Sequence, residues 1–154
     1  MVWSASKIFV SFIEDALENT AALDLNSDTF KCALYDNDIT PDNTAATANT
    51  LLNAGQWTQA GNEVADGTNW DAGGEPLTSV TFAPTAAVLK FDATDTPQGG
   101  ATCTLANVYG AFVHDSSVGN QGVSFHYLGG VNGVTAGTFS VVWHGSGILT
   151  ITLT

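Results

Sequence analysis

The sequence predicts a mainly β fold: an antiparallel β-sandwich or barrel-like domain with one N-terminal amphipathic helix. Three observations carry this expectation. Apolar residues recur at three- and four-residue spacing only between Ala5 and Asn19. Beyond Asp28 the apolar period drops to two, the period of strands. From Thr78 onward, short runs rich in Val, Phe, Thr, Tyr and Trp alternate with Gly- and Pro-bearing breaks. Strands spaced in this way, without helical periods between them, pair into antiparallel sheets rather than a parallel α/β sheet. At 154 residues the chain reads as a single domain, with the helix in 1–20 and the β-domain in 29–154.

The helix comes first. Ala5, Ile8, Phe9, Phe12, Ile13, Ala16 and Leu17 share one face, and Ser4 or Ser6 is placed to cap its start. Glu14, Asp15 and Glu18 gather toward its end, where the helix dipole disfavours negative charge. Its stability must therefore come from what the Phe-rich face packs against: an open face of its own sandwich, or a partner chain.

Thr29 to Tyr35 is the first strand, with Phe30, Cys32 and Leu34 on one face. Residues 36–76 form a long polar excursion rich in Asp, Asn, Thr, Gly and Ala, anchored by Trp57 and Trp70, with a short helix expected around Ala45 to Ala54. The later strands are Thr78–Phe82, Ala87–Phe91, Val108–Asp115, Val123–Leu128, Thr138–His144 and Ile148–Leu153. Pro84 separates the first two of these, and Pro97 with Gly99 and Gly100 closes the second. Gly119–Gly122 and Gly129–Gly133 flank the fourth. Gly145-Ser146-Gly147 reads as a hairpin connection pairing the last two strands.

Composition excludes several functions. Fifteen acidic residues face three lysines (Lys7, Lys31 and Lys90) and no arginine, for a net charge of −12. Nucleic-acid affinity rests on Lys and Arg neutralising phosphates, so no nucleic-acid partner is expected. Without Arg there is no bidentate clamp for phosphate or carboxylate, and no basic stripe for anionic lipid. No apolar run reaches the roughly 18 residues of a membrane span, and the N-terminus lacks the pattern of a signal peptide, so no membrane partner is expected. Cys32 and Cys103 read as small core residues, with a mutual disulfide as the alternative.

The search for chemistry yields no catalytic, cofactor or metal site. His114, His126 and His144 lie on three separate strands at no metal-ligand spacing. The stretch from Asp36 to Asp42 offers alternating oxygen ligands, but it has Pro41 where a calcium loop needs Gly and Thr47 where it needs Glu. His114, Asp115 and Ser116 have the residue types of a hydrolase triad, yet consecutive strand residues point to opposite faces. Glu14 with Glu18, or Asp92 with Asp95, are the pairs a carboxylate-based hydrolase would need; they read as solvated acids. Trp57 and Trp70 are the candidate glycan-binding residues if exposed on the excursion, and core anchors otherwise.

Several segments then carry a resemblance. After the N-terminal helix come ALDLNSDTFKCALYDNDITPD (Ala22–Asp42), AVLKFDATD (Ala87–Asp95), NVYGAFVHD (Asn107–Asp115) and GTFSVVWHGSGILTITLT (Gly137–Thr154). Their order resembles that of a family of small β-rich virion structural proteins of tailed bacteriophages, with the terminal segment the most specific part. The chain departs from that pattern at HDSSVGNQGVSFHYL (His114–Leu128), where a basic, polar turn is commoner. The resemblance implies a β-sandwich virion component: head decoration, minor capsid or tail-associated. It transfers no catalytic residues.

The expected function is therefore that of a non-catalytic capsid decoration or minor capsid protein on the outer surface of the virion, binding the major capsid protein and sister subunits and stabilising the shell. A tail position is the alternative placement, and a tail-fibre or host-glycan-binding module the alternative function. Ile8, Phe9, Phe12, Ile13 and Leu17 are the expected contact residues, on the exterior because a chain of charge −12 is repelled by packaged DNA.

Overall fold

The computed structural model describes residues 3–97 and 102–154. In chain order its elements are β1 (Lys7–Ile8), α1 (Val10–Glu18), β2 (Phe30–Tyr35), β3 (Glu75–Pro76), β4 (Thr81–Thr85), β5 (Val88–Asp92), β6 (Thr96–Pro97), β7 (Cys103–Asp115), β8 (Gln121–Gly137), β9 (Ser140–Val141) and β10 (Leu149–Thr152). Two antiparallel sheets dominate: five strands in the order β1-β8-β7-β2-β3, and three in the order β10-β5-β4. A two-stranded ribbon joins β6 to β9. The fold is mainly β and sandwich-like, with one helix near the N-terminus. No helix among the described residues is long and apolar enough to cross a membrane.

Register explains the layering. Ala33 lies opposite Phe112, which lies opposite Phe125, so these residues share one face of the larger sheet. Phe30, Cys32, Leu34, Ala111 and Val113 point the other way. The first face is covered by the N-terminal segment and the 36–76 excursion: Trp57 stacks on Phe112, and Phe9 meets Trp57, Phe112 and Phe125 edge-on. The second face meets the three-stranded sheet, where Phe30 packs edge-on against Phe91 at 5.0 Å. Both faces of β2 are thus buried, and of its six residues only Lys31 keeps partial exposure.

The excursion is anchored rather than loose. Trp57 and Trp70 are both fully buried, and the Tyr35 hydroxyl donates to the Trp57 carbonyl at 2.7 Å. The expected helix at 45–54 shrinks to one 3-10 turn, Thr47–Asn49. The strand-like bonds around it explain why: Leu52 N–H donates to Asn120 O and Gly122 N–H to Thr50 O, tying residues 50–52 to the start of β8.

Other expectations are corrected. The helix begins at Val10, not Ala5, because Lys7 and Ile8 pair with Phe125 and Ser124 and Phe9 N–H donates to Val123 O. Neither Ser4 nor Ser6 caps it; Phe9 stands at the cap position, and Ser6 Oγ instead accepts from Tyr127 N–H. Pro84 does not break a strand. It lies within β4, opposite Leu89, at the sheet edge where a missing N–H is tolerated.

Gly129 and Gly130 do not end the fourth of the later strands; β8 runs through them to Gly137. Their φ values of 81° and 142° fit a local irregularity beside the register shift between Val108 and Gly110. The Asn132 side-chain amide patches that region by donating to Gly130 O at 2.9 Å.

The last two strands are not a hairpin. Residues 138–144 contribute only β9, paired with β6, whereas β10 pairs with β5. Phe139 packs on Trp70, Trp143 N–H donates to Asp95 Oδ1, and Leu149 sits opposite Phe91. These anchors draw the two segments into different sheets, and the Gly145-Ser146-Gly147 turn crosses between them. The expected turn at Gly99 and Gly100 lies outside the described residues.

Candidate functional site

The inner face of the three-stranded sheet is longer than the core it covers. Phe91 and Leu149 lie opposite one another and are buried beneath Phe30. Further along the same face, Phe82, Leu89 and Ile151 are only half-buried, and Leu153 is 65% exposed. There the sheet, α1 and the segment Leu23–Leu25 enclose a groove of about 530 Å³. Its wall on the helix is Phe12, Ile13, Ala16 and Leu17.

The five residues expected to make contacts divide between two roles. Phe9 and Phe12 are buried in the chain's own core, with Phe9 closing the aromatic cluster around Trp57. Ile8 and Ile13 are half-buried, Ile8 within β1. Leu17 is 83% exposed and stands over the groove. The helix therefore packs on its own domain through its first turn and presents apolar surface through its last. Leu23, Leu25, Phe82, Leu89, Ile151 and Leu153 complete the groove and were not singled out from sequence. Their alternation was visible, but not which end of the sheet face goes uncovered.

Trp57 and Trp70 have no ring face at the surface, since both are fully buried. This removes the stacking platform expected of a glycan site at these two residues. Trp57 is the centre of the core cluster, and Trp70 meets Phe139 edge-on at 5.6 Å.

The titratable side chains are spread over separate structural tasks. His114 Nε2 bonds Gly73 O at 3.0 Å, and burial pushes its pKa down to about 4. His126 Nε2 lies 2.9 Å from Ser124 Oγ and its ring meets Trp143 edge-on; burial again lowers the pKa to about 4. His144 Nδ1 accepts from Ser146 N–H within the turn. Asp115 Oδ1 accepts from Ser117 and Val118 in the β7–β8 turn, while Ser116 Oγ donates to Thr29 O, so His114, Asp115 and Ser116 form no relay.

The remaining acids behave similarly. Asp36 and Asp42 accept from Asp38 N–H and Thr44 N–H, the bonds of Asx turns. Asp92 pairs with Lys90, Asp95 accepts from Trp143 N–H, and Glu14 and Glu18 are exposed on α1. Cys32 and Cys103 are free and buried, and burial raises both thiols. Among the described residues no three His, Cys, Asp or Glu side chains form a group able to hold a metal.

The arrangement thus offers an apolar groove with a single acid, Asp24, in its lining. Comparison of the chain with protein-family models, curated proteins and solved structures finds no match.

Proposed function

We propose that the chain is a non-catalytic virion structural protein, a capsid decoration or minor capsid protein that binds the outer shell and stabilises it. The observation that carries this reading is the groove beside α1, where the sandwich leaves its own apolar face unfinished between Leu17 and Leu153. Apolar surface of this kind, rimmed by polar residues, is characteristic of a site that a partner completes. A partner that binds only the assembled shell would shift its stability by mass action. The major capsid protein and sister subunits are the proposed partners. The charge of −12 favours an exterior position over one beside packaged DNA. The order of the segments Ala22–Asp42, Ala87–Asp95, Asn107–Asp115 and Gly137–Thr154 adds the resemblance to phage virion proteins.

Removing residues 1–19 is a poor test, because Trp3 and Phe9 belong to the core. The exposed pair Leu17→Ser and Leu153→Ser is better. Cryo-EM of whole particles should show the wild-type chain on the outer shell and reduced occupancy for the double variant. Absence of the wild-type chain from purified particles overturns the placement; unchanged occupancy of the variant overturns the groove as the contact.

A further inference from the structure

We infer that Asp28 and Asp115 together bind a divalent cation, of which calcium fits best, between the start of β2 and the end of β7. The inference is independent of the groove beside α1. Asp115 stands opposite Phe30 in the β2–β7 ladder. Ser116 N–H donates to Thr29 O and Thr29 N–H to Ser117 Oγ, so the pairing continues beyond the strands themselves. Asp28, two residues before Phe30, therefore shares the face of Asp115 as its diagonal neighbour.

The two oxygens of Asp115 are unequal. Oδ1 accepts from Ser117 Oγ at 2.7 Å, Ser117 N–H at 2.9 Å and Val118 N–H at 3.0 Å. Oδ2 takes no donor at all, in a residue that is 0% exposed. The Asp28 carboxyl lies within hydrogen-bonding reach of this group. Its own Oδ2 is already occupied by Asp24 N–H at 2.5 Å. A second acceptor cannot satisfy an orphaned oxygen, and a buried polar atom left in this state is costly. Positive charge is what the pair lacks.

No lysine supplies it. Lys31 follows Phe30 and points to the opposite face, across from His114. Lys90 pairs with Asp92, the one ion pair among the described residues, and Lys7 lies in β1 opposite Phe125. A shared proton is the other candidate. Burial does push the Asp115 carboxyl up, yet the donors on its Oδ1 favour the ionised form. A cation satisfies both carboxylates and leaves those bonds in place. Calcium takes oxygen ligands in irregular geometry, and Asp28 is only half-buried, so water can complete the shell around two carboxylates. Magnesium demands a nearly ideal octahedron and fits less well.

The test is thermal unfolding of the intact chain at neutral pH, after treatment with EDTA and dialysis, in CaCl2, MgCl2 or NaCl of equal ionic strength. About 10 mM CaCl2 should raise the midpoint over NaCl by roughly 3–10 °C, the shift for a site of submillimolar to millimolar affinity, with MgCl2 giving less. Asp28→Asn should abolish the calcium shift. Glu18→Gln, which removes the same charge from an exposed helical position, should keep it. Equilibrium dialysis with radioactive calcium reads the same site without reference to stability, and Asp28→Asn should lose one bound ion per chain.

A midpoint no higher in CaCl2 than in NaCl overturns the inference and leaves a proton between the carboxyls. A calcium shift that survives Asp28→Asn also overturns it. So does one that Glu18→Gln removes equally, since that is screening of the −12 charge rather than a site.

Discussion

The indole of Trp57 stacks on the ring of Phe112, with centroids 4.4 Å apart and planes 20° from parallel. A residue of the polar excursion thereby becomes the cover of the central sheet, held from behind by the Tyr35 hydroxyl on its carbonyl. Trp57→Ala should cost about 3–5 kcal/mol of stability, the range for removing a large buried aromatic. Urea denaturation checks this; a loss below about 1 kcal/mol would mean that the excursion does not form part of the core.

Gly110 lies beneath Trp3. A Cβ at this position would come within 2.3 Å of Trp3 Cζ3, so the ring rests directly on the β7 backbone. Gly110→Ala should displace the indole from Phe125 and Trp57 and destabilise the fold by about 1–3 kcal/mol. A red shift in tryptophan emission together with a lower denaturation midpoint is the expected result. The Trp3→Ala, Gly110→Ala double variant should show little additional loss over Trp3→Ala alone.

Phe12 and Leu17 share one helix but have opposite environments, 2% and 83% exposed. Phe12→Ala should cost about 3–5 kcal/mol, whereas Leu17→Ser should stay within about 0.5 kcal/mol of wild type. Thermal unfolding of the two variants separates the half of the helix that holds the domain from the half available to a partner.

His114 and His126 make stability depend on mild acid. Both have pKa values near 4 in the folded chain, against 6.5 for an unperturbed imidazole. Between these values the unfolded chain binds more protons, so stability is full above about pH 6.5 and falls as the pH drops toward 4. Each ring contributes roughly 2–3 kcal/mol to that loss. Glu63 and Asp115, whose carboxyls are raised by burial, act in the opposite sense and soften the decline. Denaturation midpoints between pH 7 and 4 should fall, and replacing His126 with Asn should reduce the slope.

The sequence carried much of this architecture and concealed a definite part of it. The helical face, the strand at Phe30–Tyr35 and the start of the β7–β8 hairpin follow from periodicity and turn residues, which are local properties. The partners of β9 and β10 do not. Gly145-Ser146-Gly147 is good turn chemistry whichever strands it joins, and the outcome was decided by Leu149 meeting Phe91 and Phe139 meeting Trp70. Pro84 misled for a related reason: its meaning depends on whether its strand lies at an edge. The groove was half legible, through Ile13 and Leu17 but not Phe82, Leu89 and Ile151, because an uncovered end of a sheet is a property of packing.

The pairing pattern also sets an order in time. The β4–β5 pair and the β7–β8 turn are local, but β2 meets its long partner only when Asp115 can reach Phe30, β1 waits for Phe125, and the second edge of β5 waits for Leu149. During synthesis, Trp3, Phe9, Phe12 and Phe30 therefore lack the long central strands β7 and β8 until more than two thirds of the chain has emerged. Distant partnerships of this kind slow folding to the millisecond-to-second range typical of β-sandwiches. Throughout that interval the nascent chain is exposed to aggregation, and its strong negative charge is the property that keeps neighbouring copies apart.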